Sequence, residues 1–150
     1  MRSSSVLEII AFRLGGRDFC IRTTSVREIR GWAPSMPVPN APYYMLGVMN
    51  LRGTVIPTID LAMRLGMAPA ERSDRSAIIV VEAGEMVLGL LVDHVTDMLS
   101  IPEDEVQPAP AVFSSFDSRY CDGIIIHASG MICFVNVQRL FEGDVIPQAA

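Results

Sequence analysis

The 150-residue sequence contains no lysine; its twelve basic residues are all arginine. A phosphate loop of the form Gly-x-x-x-x-Gly-Lys-Ser/Thr is therefore excluded. No Gly-x-Ser-x-Gly elbow occurs either, which removes a common hydrolase signature. Cysteine is scarce. Cys20, Cys121 and Cys133 lack Cys-x-x-Cys spacing and each sits in an apolar run, so they read as reduced core thiols. The two histidines, His94 and His127, are far apart and have no second ligand at metal spacing, so no metal site is expected. No cofactor motif appears. No apolar run reaches the ~20 residues of a membrane span. The first five residues, Met1 to Ser5, lack the apolar centre and cleavage site of a signal peptide, and a cytoplasmic address follows. There is no basic cluster, and a net charge of −5 does not suit nucleic acid.

What is present is apolar and strand-like. Half the residues are hydrophobic and 19% are charged, ample for a packed interior in one domain or two small ones sharing a core. The chain is organised around Leu46 to Leu61, two apolar runs flanking Arg52-Gly53. Glycine supplies the positive φ that a tight turn needs, so the stretch predicts a hairpin. Pro57 lacks an N–H and suits an edge strand or a bulge. Asp60 can cap a short helix with Leu61 and Leu65 on one face, ended by Gly66.

Before the hairpin, residues 7–14 and 18–22 read as strands around Gly15-Gly16. A polar turn, Thr23 to Ser25, leads to an alternating strand, Val26 to Arg30. Pro34, Pro37, Pro39 and Pro42 mark an ordered loop. Residues 67–75 read as a mobile linker. Two further strands, 76–82 and 86–92, meet at Gly84-Glu85, and Gly89 suggests a bend or a close backbone approach. Val95 to Leu99 alternates again. Ser100-Ile-Pro-Glu103 fits a capping box, and Glu103-Asp-Glu105 reads as a solvated helix start rather than a calcium loop. A loop with Pro108 and Pro110 follows. A last hairpin spans 120–135 with its turn at Ser129-Gly130, and a short helix closes at 136–141.

The two halves echo each other. Phe12, Phe19, Ile21, Val26 and Ile29 recur 69 residues on as Val81, Leu88, Leu90, Val95 and Met98. Gly47, Asp60, Leu61 and Leu65 recur 76 residues on as Gly123, Asn136, Val137 and Phe141. Five short strands apiece predict two related five-stranded barrels, a mainly β fold sharing one core; a single sandwich is the alternative. Their expected limits are about 7–66, with swapped strands, and 76–143, within one domain.

With catalytic motifs missing, the surface matters most. Glu28 and Arg52 stand beside apolar runs. They are either ordinary solvent-facing charges or an internal ion pair, or they orient a recognition patch on apolar ground from Val26, Val55 and Met98. The nine methionines are mostly core filler, although exposed ones can line a groove.

The sequence resembles the CheW family of chemotaxis coupling proteins. The likeness rests on Val26-Arg-Glu-Ile-Arg-Gly31, Gly47-Val-Met-Asn-Leu-Arg-Gly53 with Val55-Ile-Pro-Thr-Ile-Asp-Leu61, Val87 to Asp93, Val95 to Leu99, and Val106 to Pro110. It runs from about residue 7 to 142. It implies two SH3-like barrels and a scaffold without enzymatic activity. The implied partners are the regulatory domain of the histidine kinase CheA and the cytoplasmic tip of chemoreceptors, with self-association in arrays as a further contact. Carried over by motif, Val26, Glu28, Gly47, Arg52, Val55 and Met98 match protein-binding positions near the receptor groove. Arg22 and His127-Ala-Ser129 depart from the family pattern and bear on partner choice. A scaffold of a non-chemotaxis kinase array is the neighbouring reading. An enzyme with an inter-barrel pocket, using Asp93 and His94, is the competing one.

Overall fold

Two consecutive residues with positive φ, Arg52 at 52° and Gly53 at 88°, close the central hairpin. That is the primed turn whose twist matches the flanking strands. The strands are β4 (Met45–Leu51) and β5 (Thr54–Asp60), and Asn50 Oδ1 accepts from Gly53 N at 2.8 Å. The computed structural model describes residues 5–108, 120–127 and 130–141; Pro110 and Ser129 of the expected loops lie outside them.

Around this hairpin run β1 (Val6–Leu14), β2 (Arg17–Arg22), β3 (Val26–Gly31), α1 (Leu61–Arg64), β6 (Ala77–Ala83), β7 (Met86–Val92), β8 (His94–Pro102), β9 (Val106–Gln107), β10 (Cys121–His127), β11 (Gly130–Val135) and α2 (Val137–Leu140). One sheet has the order β8-β1-β2-β11-β10-β9, the other β3-β6-β7-β5-β4. Each sheet therefore takes the first hairpin of one half and the remaining strands of the other.

The internal echo is a structural pseudo-twofold. Val26 pairs with Val81, and Phe12 with Val95, each beside an irregularity in register. The parallel pair Thr58↔Gly89 has its counterpart in Phe134↔Cys20. Asp60 N donates to Tyr44 O, and Asn136 N to Tyr120 O, both at 2.8 Å. Asp60 caps α1 through Met63 N, and Asn136 caps α2 through Arg139 N.

Both sheets close. β8 and β9 are separated by one 3-10 turn, Glu103–Glu105, yet pair at opposite ends of their sheet. In the other sheet the chain leaves β3 and bridges β4 at Met36↔Val48. Period-two alternation then gives each inner strand two duties. Ile9 and Ala11 face the interior of the first barrel with Ile125 and Ile132. Their counterparts Ile78, Val80, Met49 and Ile56 fill the second. The alternate residues, among them Phe12, Phe19, Ile79, Val81, Leu88 and Leu90, form the core shared between the barrels. The three cysteines are buried and unbridged.

Four local expectations are corrected. Pro57 lies on neither an edge strand nor a bulge, since β5 runs between β7 and β4; it stands just before the Thr58–Asp60 stretch that pairs with β7. Ser100 caps nothing, because β8 extends through it to Pro102, and Glu103 N donates instead to Ser5 O at 2.9 Å. Residues 67–75 are tied down: Ala70 N donates to Asp60 Oδ2 at 3.1 Å, and Arg72 lies 5.1 Å over the Trp32 ring. Gly89 marks close packing against a side chain, since a Cβ there would lie 2.8 Å from Ile78 Cγ2.

Candidate protein-binding site

Glu28 and Arg52, 24 residues apart, meet at the closing seam of the five-stranded barrel. Alternation on β3 turns Glu28 to its half-buried face. The turn at the tip of β4 and β5 projects Arg52. Its Nη2 donates to Glu28 Oε1 at 3.0 Å and to Oε2 at 2.5 Å, and Arg30 Nη1 adds a bond to Oε1 at 3.3 Å. These bonds, the Arg52 one foremost, hold the Glu28 carboxyl below the ordinary glutamate range, although partial burial opposes them. Between ordinary solvent-facing charges and an internal ion pair, the structure forms the pair. It remains available at the surface: the Arg52 side chain is 71% exposed, that of Glu28 21%.

Val55 is exposed one residue beyond the turn's Thr54, across the hairpin from Asn50. Val26 is half-buried and packs on the shared core. Gly47 has a structural task. At φ +150° it lets the closing strand approach, and a Cβ there would lie 2.2 Å from Met36 O. Gly123 plays the same part in the other barrel, with Gln107 O at 2.6 Å. Met98 is exposed, but on β8 of the other sheet, paired with Ile10. Glu28, Arg52 and Val55 are thus brought to one end of one barrel, and Met98 is not.

Sequence reasoning missed Ile29, Trp32 and Met36, all exposed on or beside the same barrel edge. A signal existed for Ile29: it lies three residues from Val26, and that spacing puts two strand residues on opposite faces. Asp93 and His94, the residues of the competing enzyme reading, do not line one pocket. Asp93 Oδ2 accepts from Gly15 N at 2.9 Å and faces a depression lined by Gly66 and Met67, whereas His94 lines a different one. Among the described residues no helix is long and apolar enough to cross a membrane, and no group of three metal-binding side chains occurs.

The comparisons with known proteins agree with this architecture. The family model for the CheW-like domain matches residues 8–145. The chain is 48% identical over 135 residues to a probable chemotaxis protein CheW of Rhizobium etli, covering 90% of this chain and 87% of that one. It is 44% identical to a chemotaxis protein CheW of Rhizobium meliloti, covering 91% and 88%. The crystal structure of the scaffolding protein TtCheW from Thermoanaerobacter tengcongensis superposes with a TM-score of 0.84 at 30% identity, over 93% of this chain and 90% of that one. The chain belongs to the CheW-like domain family.

Proposed function

We propose that this protein is a chemotaxis coupling scaffold, a non-enzymatic adaptor that joins chemoreceptor tips to the regulatory domain of a CheA-type histidine kinase. The observation that carries the reading is the family match across residues 8–145. The exposed Glu28–Arg52 pair beside Val55 supports it, because an orienting charge pair next to apolar ground is what a specific, reversible contact uses. The functional unit is one domain of two barrel subdomains, about 7–66 with swapped strands and 76–143. Two barrels sharing a core hold two faces at fixed geometry, so each contact can be modest: linked contacts in an array gain effective concentration. Each interface then falls at roughly 1,000–1,600 Å². Glu28, Arg52, Val55 and Met98 contact the receptor or its array neighbours, with Val26 and Gly47 holding the ground beneath them. The site of action is the cytoplasmic face of receptor arrays, where copies of the chain also meet one another. The test is pairwise calorimetry with the kinase regulatory domain and with a receptor-tip fragment. Saturable binding to each, without mutual competition, is expected. No heat with either partner would overturn the reading.

A further inference from the structure

The histidines that looked unrelated in sequence line one depression. His94 of β8 and His127 of β10 both line the mouth of the six-stranded barrel, over a floor that includes Ala11 and Ile132. The cavity measures about 630 Å³ and also takes in Arg13, Asp18, Arg75 and Asp97. That size suits a small ligand.

The charges in the mouth are unevenly matched. Arg13 Nε and Asp18 Oδ1 pair at 2.9 Å. Asp97 Oδ1 accepts from Met98 N at 2.8 Å. Asp18 is thus matched by a cation, whereas Asp97 is held only by a backbone N–H. The Arg75 guanidinium and the two imidazoles have no side-chain partner among the described residues. The pseudo-equivalent mouth of the other barrel differs. There Arg27 pairs with Glu82 at 3.5 Å, and Arg30 and Arg52 both pair with Glu28. By the internal echo, Thr96 and Leu99 stand in the places of Arg27 and Arg30, and Asp97 stands in the place of Glu28. One rim is closed by its own ion pairs. The other leaves donors free over an apolar floor.

We propose that the mouth of the six-stranded barrel binds a small oxyanion, a carboxylate or a phosphate, held by Arg75, His94 and His127. A guanidinium supplies a directed pair of donors for such a group, and each imidazole adds one. This inference does not depend on the coupling reading. The test exploits the presence of only two histidines: their imidazole proton signals in NMR report the site directly. The probes are inorganic phosphate and succinate, each matched in ionic strength by sodium chloride. Saturable shifts of both imidazole signals, with a dissociation constant on the order of 1 mM, are expected from at least one probe. Whichever probe acts separates the phosphate source from the carboxylate source. Arg75→Gln, at an exposed position, should weaken that binding at least tenfold while the fold's amide spectrum persists. Shifts that sodium chloride reproduces, or that survive Arg75→Gln unchanged, would overturn the proposal, as would no shift with either probe.

Discussion

An arginine at φ 52° is costly backbone, since a side chain in the left-handed region loses about 1–2 kcal/mol relative to glycine. That strain and the exposed pair it supports belong together. Arg52→Gly should therefore leave the melting temperature unchanged or raised, while partner binding falls; a clear drop in melting temperature would make the pair structural. Gly53→Val acts through backbone alone, because φ is +88° and a Cβ there meets nothing within 4 Å. Its cost should be about 1–2 kcal/mol, read as a lowered thermal midpoint. Glu28 sets a pH dependence. Its lowered carboxyl contributes stability that is complete above about pH 4.5 and lost as the pH falls through its folded value. Denaturant midpoints of the parent and of Glu28→Gln should keep a constant separation from pH 7 to 5 and converge in stronger acid. Both residues stand out in the sequence as charges beside apolar runs. Their pairing does not, because 24 residues separate them and only barrel closure brings β3 to the hairpin tip.

The hairpins, the turns at Gly15-Gly16, Arg52-Gly53 and Gly84-Glu85, and the two capped helices were legible, because glycine, Asp60 and Asn136 act within a few residues of themselves. Features set by a neighbouring strand were not. Pro57 lies inside a sheet, which depends on β7 arriving in parallel beside β5. Ser100 matches a capping pattern, yet pairing with β1 carries β8 straight through it. The loop at 67–75 is polar in composition but pinned by the buried Asp60 carboxylate. The closing glycines show how strongly such tertiary contacts act. Gly47→Ala places a methyl 2.2 Å from a backbone oxygen that has little room to move. It should destabilise by about 3 kcal/mol or more in chemical denaturation, well beyond Gly53→Ala. Arg64 is a second joint. Its guanidinium lies 4.9 Å over Tyr44 and 4.8 Å over Tyr120, which are pseudo-twofold mates, and its Nε donates to Leu140 O at 2.9 Å. Arg64→Ala should cost about 1–3 kcal/mol, from lost cation–π contact and packing at the seam between the halves.

At the scale of the whole molecule, the pseudo-twofold is the organising fact. The repeated apolar positions were visible in the sequence, and the shared core realises them strand by strand. The exchange of first hairpins is what makes two barrels one body: neither half completes its sheet without the other. In the proposed coupling role, such a shared core would hold the two faces at fixed geometry. The two barrels have also diverged at their rims. One carries the exposed Glu28–Arg52 pair, and the other carries Met98, Asp97 and the histidine-lined mouth. Distinct rims on equivalent barrels allow different partners to be held at a fixed separation. The most direct test is co-sedimentation of the chain with clustered receptor fragments and the kinase, with kinase activity read in the same tube, for the parent and for Arg52→Glu. The account predicts that the parent enters the pellet with both partners and raises kinase activity, while Arg52→Glu keeps a folded circular dichroism spectrum and loses both effects. A parent that pellets with neither partner, or an Arg52→Glu variant that couples as well as the parent, would contradict it.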